Sequence, residues 1–137
     1  MDFAIDASIA LAWVHPGQAT TASDDLLRQA MEGATIFAPS FWFLETANAL
    51  LVLERRRKLT RSERRAAADL LQGLKIVGDD EWPRRAMGEI SDLALAHSLS
   101  AYDACYLELA LRRRIPLASR DNALRTAARR RRIPLLA

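Results

Sequence analysis

The sequence predicts an α/β protein, with a central parallel sheet of four to five strands between two layers of helices. Two observations carry that reading. Five short apolar runs, Phe3-Ala4-Ile5, Thr35-Ile36-Phe37-Ala38, Lys75-Ile76-Val77, Ile115-Pro116-Leu117-Ala118 and Ile133-Pro134-Leu135-Leu136, are continuous rather than alternating, as strands buried on both faces are. The stretches between them open and close with helix signals, and strands that alternate with helices imply a parallel sheet.

Phe3-Ala4-Ile5 stops at Asp6, after which Ser8 offers an N-cap to a short helix through Trp13 that Pro16-Gly17 breaks. A second helix spans Thr21 to Glu32 and ends at Gly33. Pro39 closes the second strand, and Ser40 is placed to cap a long helix from Phe41 to about Arg57. Thr60-Arg61-Ser62-Glu63 matches a capping box and opens a helix that runs to Gly73. The third strand, at Lys75, is the weakest. Trp82-Pro83 starts a helix that ends near His97, Ser100 to Arg114 is helical, and a last helix over Asp121 to Arg132 separates the fourth and fifth strands.

The 137 residues fit one domain spanning 1–137, with no repeat, low-complexity tract or linker expected to divide it. No apolar run approaches the roughly 18 residues that a bilayer span requires. An acid at position 2 is unlike a signal peptide, so cytoplasmic residence is the expectation. Cys105, the one cysteine, fits a reducing compartment and reads as core filler. Of the 20 basic residues, 18 are arginines, the side chain that grips phosphate in a fork. Setting four acids aside as a metal-neutralised pocket would raise the net charge of the remainder from +3 to +7, which suits an anionic polymer as partner.

Those four acids are Asp6, Glu45, Asp103 and Asp121. In a parallel sheet the site lies at the carboxyl ends of the strands, near the point where strand order reverses. Asp6 directly follows the first strand, Glu45 lies in the first two turns of the helix after the second, Asp121 lies just beyond the fourth, and Asp103 opens a helix. Each has a plainer explanation. Asp121 can serve only as a helix N-cap, Asp103 only as the acid of a Ser100-Ala101-Tyr102-Asp103 capping box, and Asp6 only as a turn residue. Glu45 differs, because Phe41, Leu44, Leu51 and Val52 share its helical face, where a carboxylate needs an opposite charge or a metal. Four acids at one sheet edge favour a metal site.

Asp6-Ala7-Ser8 after the first strand, the Pro39-Ser40-Phe41-Trp42-Phe43-Leu44-Glu45 entry with Asn48 following, Tyr102-Asp103-Ala104-Cys105-Tyr106-Leu107, and Pro116-Leu117-Ala118-Ser119-Arg120-Asp121 resemble a PIN-domain protein, more narrowly the VapC toxins. The resemblance spans essentially the whole chain. It implies a PIN-like (Rossmann-like) three-layer α/β/α fold and a Mg²⁺- or Mn²⁺-dependent endoribonuclease, usually dimeric and restrained by a small cognate antitoxin. The family's acidic quartet falls on Asp6, Glu45, Asp103 and Asp121, and its small hydroxyl residues on Ser8 and Ser119. Asn48 joins them as a supporting residue. Asp6 and Asp103 are the expected direct ligands, while Glu45 and Asp121 either ligate, hold a second ion or orient water. The glycine often found before the last strand is replaced by Arg129-Arg130-Arg131-Arg132.

The arginine runs at 55–57, 112–114 and 129–132 fall in last helical turns, where cations complement the dipole, and are expected to point away from the acids. Arg120, and secondarily Arg61, are the RNA-binding candidates. Trp13, Trp42 and Phe43 serve either as base-stacking surfaces or, the favoured reading, as core and partner contacts. The early helices, with Phe41, Trp42, Leu50, Leu53 and Leu59, offer surplus apolar surface for a dimer or an antitoxin. His15 and His97 read as loop and helix-end residues. A receiver domain would show an acidic pair after the first strand and a lysine after the last, and a haloacid-dehalogenase-like phosphatase an Asp-x-Asp; the chain has neither. The surviving alternative is a catalytically inactive PIN-like module that binds RNA or a protein.

Overall fold

Phe3, Ala4 and Ile5 are wholly removed from solvent and form β1 (Phe3–Ile5), the innermost strand of the computed structural model, which describes residues 1–137. On one side of β1 lies β2 (Ile36–Pro39) and beyond it β3 (Ile76–Asp79); on the other lies β4 (Leu117–Ala118), giving the order β3-β2-β1-β4 with all pairs parallel. Ala4 pairs with both Phe37 and Leu117. Strand order therefore reverses at β1, and the carboxyl ends of β1 and β4 flank the crevice where such sheets bind ligands. The expected fifth strand shrinks to a single parallel bridge between Leu117 and Leu135. Pro134 has no N–H to extend that ladder.

The helices are α1 (Ala7–Val14), α2 (Thr21–Met31), α3 (Trp42–Arg55), α4 (Arg61–Gln72), α5 (Trp82–Arg85), α6 (Ser91–His97), α7 (Ala101–Arg113) and α8 (Asn122–Arg130). The Thr60/Glu63 capping box forms in both directions, at 3.1 and 2.9 Å. Two expected caps differ. Asp6, not Ser8, caps α1, because the helix begins directly after β1 and Ile9 is then the residue whose N–H reaches back. Ser40 does not cap α3; its hydroxyl accepts instead from the indole N–H of Trp82 at 2.9 Å. The expected helix from Trp82 to His97 is interrupted by a π-helical turn at Ala86–Ile90, where the Ser91 hydroxyl donates to the Ala86 carbonyl at 2.6 Å.

Gly78 sits where a Cβ would come within 3.2 Å of the Phe43 ring and 3.4 Å of the Ser40 Cα, so any side chain there would crowd the β2–α3 turn by a few tenths of an ångström. One ion network ties β3 to α7. Asp79, the last residue of β3, accepts from Arg112 at 2.8 and 3.1 Å and from Arg113 at 3.1 and 3.3 Å, while Arg112 also binds the buried Glu108 at 2.8 Å. Burial alone would raise the Asp79 pKa; the bonds from Arg112, the Glu81 N–H and Arg113 outweigh it and hold it below the ordinary value. These two arginines thus reach a strand's carboxyl end, contrary to the expectation that the run points away, but they are engaged in neutralising buried acids.

The chain also contains a repeat that was not expected: Arg-Arg-Arg-Ile-Pro-Leu occurs at 112–117 and again at 130–135. In both copies the third arginine is left-handed, Arg114 at φ 55° and Arg132 at φ 58°, and the following isoleucine N–H reaches back to Ala110 and Ala128. Arg57, at φ 59°, closes α3 in the same way. These are Schellman-type ends with arginine where glycine is favoured. Left-handed backbone costs an L-residue about 1–2 kcal/mol, partly offset by the extra unfolded-chain entropy of glycine. Replacing Arg57 or Arg132 by glycine is accordingly expected to stabilise the protein by about 0.5–1 kcal/mol, read as a higher urea midpoint at unchanged slope.

Candidate functional site

Asp6 is buried, at 5% exposure, yet accepts three hydrogen bonds. Its Oδ1 takes the Ser8 hydroxyl at 2.5 Å and the Ile9 N–H at 3.3 Å; its Oδ2 takes the Ser119 hydroxyl at 2.5 Å. Two carboxylate oxygens offer about four lone-pair positions, so roughly one is left for a further partner. Ser119 in turn accepts from the Asp121 N–H at 3.0 Å, and Ser8 from the Arg120 N–H at 2.9 Å. The two serines expected as supports therefore stitch the end of β1 to the turn after β4.

Asp121 does cap α8, through an Oδ1 contact of 2.8 Å with the Leu124 N–H, which leaves its other oxygen uncommitted. Asp103 escapes its plainer explanation: Ser100 caps α7 by accepting from the Asp103 N–H at 3.1 Å, but the return bond that would complete the capping box is absent. Glu45 is half-buried in the first turn of α3. The Tyr106 hydroxyl, one helical turn beyond Asp103, is buried without a well-formed hydrogen bond and acts on Glu45 by lowering its pKa.

Electrostatics shows that the four acids converge. Burial raises the Asp6 pKa against the opposing hydrogen bonds of Ser119, Ser8 and Ile9. Burial also raises Glu45, followed by the charges of Asp6 and Asp103, and raises Asp103, followed by the charges of Asp121 and Asp6. No lysine or arginine contributes to either set of shifts. Even so, no three Asp, Glu, His or Cys side chains stand close enough to form a complete cation cluster by themselves. That is compatible with Mg²⁺, which is usually held by one or two carboxylates, several waters and substrate phosphate oxygens. The residues present fit such an ion: oxygen donors only, mutually repelling and uncompensated.

Beside Glu45 opens an apolar groove of about 570 Å³, walled by Phe41, Leu44, Trp82 and Tyr102, with Asn48 at its edge. Phe41 meets Trp82, Tyr102 and Tyr106 edge to face. Trp13 and Trp42 are core residues, Trp13 donating its indole N–H to the Ser23 carbonyl at 2.8 Å, whereas Phe43 remains 47% exposed. The surplus apolar surface lies elsewhere than expected: Trp42, Leu50 and Leu59 are buried, and the exposed residues include Phe43, Leu44 and Leu51 of α3 together with Met87, Leu95 and Tyr102. Cys105 is buried, its thiol pushed up to about 12 chiefly by burial, and is an inert core residue. Arg120 is exposed and donates through Nη1 to the Gln18 carbonyl, while Arg61 lines a shallow depression that none of the four acids borders. His15 and His97 end α1 and α6. Tyr106, Trp82 and the Asp79–Arg112 pair went unassigned from sequence; only Tyr106, three residues beyond Asp103 on one helical face, had a local signal.

The PIN domain family model matches residues 3–130, and the chain belongs to that family. No curated protein sequence matches the chain. Among solved structures, the fold is similar to VapBC2 of Rickettsia felis bound to a promoter DNA fragment (TM-score 0.67, 10% identity, 98% of this chain and 97% of that one). It is also similar to FitAcB of Neisseria gonorrhoeae (TM-score 0.65, 16% identity, 98% and 96% covered) and to PAE2754 of Pyrobaculum aerophilum (TM-score 0.65, 20% identity, 93% and 87% covered).

A raised carboxylate pKa means that the folded chain holds the proton more tightly than the unfolded one, so ionisation above pH 4.5 works against folding. Glu45→Gln removes this repulsion. In metal-free buffer at pH 7 the variant is expected to melt above wild type, with the difference shrinking as the pH falls through the raised folded pKa and vanishing below 4.5, where Glu45 is protonated in both the folded and the unfolded chain. Mg²⁺ is expected to raise the melting temperature of wild type more than that of the variant.

Proposed function

We propose that the protein is a metal-dependent endoribonuclease, the toxin of a toxin–antitoxin pair, acting through Asp6, Glu45, Asp103 and Asp121. The observation that carries this reading is that Asp6 and Asp103 raise the pKa of Glu45, and Asp121 and Asp6 that of Asp103, with no protein cation among them, at the sheet edge where strand order reverses. Family membership supports the nuclease chemistry, and the fold it shares with VapBC2 and FitAcB supports the toxin role.

Mg²⁺ or Mn²⁺ would supply charge neutralisation at the scissile phosphate and acidify an attacking water. Asp6 and Asp103 would hold it. Ser8, the Ile9 N–H and Ser119 fix the Asp6 carboxylate, so its remaining lone pair keeps one direction. Glu45 and Asp121, less constrained, would ligate directly or orient water and substrate, with Asn48 reaching substrate along the groove. The hydrogen bonds to Asp6 favour its ionised form and oppose the larger effect of burial, which a bound cation would offset further.

For partners we infer a small cognate antitoxin and a second copy of this chain, supported by the apolar surface that α3 presents at Phe43, Leu44 and Leu51. The cytoplasm is taken as its compartment, the reading that an RNA substrate and one unpaired cysteine support. No helix is long and apolar enough to cross a membrane.

Purified protein incubated with total RNA and Mg²⁺ or Mn²⁺ is expected to cleave it, and EDTA to stop cleavage. Asp6→Ala should lose on the order of 10²-fold or more in rate, and Ser119→Ala, which unties Asp6 and the Asp121 N–H, about tenfold. Binding that persists with no cleavage under any metal would establish the inactive binding module instead. Leu44→Glu is expected to shift a dimer towards monomer in sedimentation while leaving the melting temperature within a few degrees of wild type, since Leu44 is 77% exposed.

A further inference from the structure

Four arginines are half-buried: Arg64, Arg85, Arg112 and Arg125. Three of them are paired with carboxylates, Arg64 with Glu54, Arg85 with Glu81, Glu89 and Glu108, and Arg112 with Asp79 and Glu108. Arg125 has no acidic partner. The guanidinium's one hydrogen bond runs from Nη1 to the Ser119 carbonyl at 2.8 Å, which leaves its remaining N–H groups unmatched. Arg120 is likewise free of carboxylates and tethered through one nitrogen, to the Gln18 carbonyl. Both arginines line the same concave pocket of about 220 Å³, together with Thr20 and Asn122. Ala137 closes one side.

A half-buried cation is costly unless an opposite charge meets it, and two preset guanidinium forks match the geometry of a phosphate. The pocket is coupled to the carboxylates through two residues. Ser119 gives its hydroxyl to Asp6 and its carbonyl to Arg125, and Ser8 gives its hydroxyl to Asp6 while accepting the Arg120 N–H. We propose that Arg120 and Arg125 form a subsite for a backbone phosphate of the RNA, next to the one that is cut. This rests on the ribonuclease reading above and extends it: the acids take the scissile phosphate, and this pocket fixes the strand's register beside it. A phosphate contact of this kind positions the strand without reading its sequence.

The test measures binding of a fluorescent single-stranded RNA oligonucleotide in EDTA, across a range of salt, alongside cleavage in Mg²⁺. Each phosphate contact contributes about 0.7 to the slope of log K against log salt for single strands. Arg125→Ala and Arg120→Ala should each reduce the slope by about that amount, and the double variant by about twice it. Arg28→Ala, already paired with Asp25 and Glu32, should leave it unchanged. Arg125→Gln keeps a donor for the Ser119 carbonyl and removes only the charge; it should reproduce the loss of slope with a melting temperature near wild type, separating a lost cation from a disturbed loop. Slopes equal to wild type in the Arg120 and Arg125 variants, beside intact metal-dependent cleavage, would overturn the subsite and leave the nuclease standing. The expected losses of slope in a protein that cleaves nothing would overturn the nuclease and leave the phosphate site standing. Absence of RNA binding by wild type at low salt would overturn the subsite itself.

Discussion

The charge on Asp6 is the constraint around which the rest of this molecule is arranged. A carboxylate at the end of a fully buried strand is expensive to ionise, and three hydrogen bonds are committed to keeping it so. Those bonds dictate where other elements lie. The Ile9 N–H makes α1 start without an intervening loop. Ser8 and Ser119 draw the turn after β4 against the turn after β1, and that turn carries Asp121, Arg120 and the carbonyl that aims Arg125. Rather than a set of ligands fitted onto a finished scaffold, the acids and the scaffold share the same bonds.

The second constraint is repulsion. Asp6, Glu45, Asp103 and Asp121 come from four separate elements; the charges of Asp6 and Asp103 make ionisation of Glu45 harder, and those of Asp121 and Asp6 that of Asp103. Such an arrangement works against folding unless something offsets it, and the large apolar core around β1 does so. The contrast with Asp79 and Glu108 is instructive. Those buried acids are met by Arg85, Arg112 and Arg113 and are structurally closed, whereas the quartet is left open although arginine is the most plentiful charged residue of the chain.

How much of this was legible in the sequence depended on whether the signal was local. Continuous apolar runs located β1 to β4 to within a residue or two, and Thr60-Arg61-Ser62-Glu63 located the start of α4. The acids were legible because chain order and parallel topology together put strand ends on one edge. Ser40 was misread because its partner, Trp82, lies 42 residues away, and an N-cap was the nearest local use for a serine there. The Arg112–Asp79 pairing spans 33 residues and leaves no mark in the pattern of either segment. Arg125 was hidden for the opposite reason: among so many arginines nothing distinguishes it until its neighbours show that it alone, of the half-buried ones, lacks an acid.

The bond from Ser119 to Asp6 bridges 113 residues. Closing so long a loop is entropically slow and must await β4, the last strand to join the sheet. During synthesis, a ribosome therefore releases the chain through Ser119 before Asp6 gains all of its donors. Up to that moment Asp6 lacks one of the donors that favour its charge, and Asp121 has yet to be translated or docked. The carboxylate site is therefore a late product of folding, completed only when the segment after β4 docks against the end of β1.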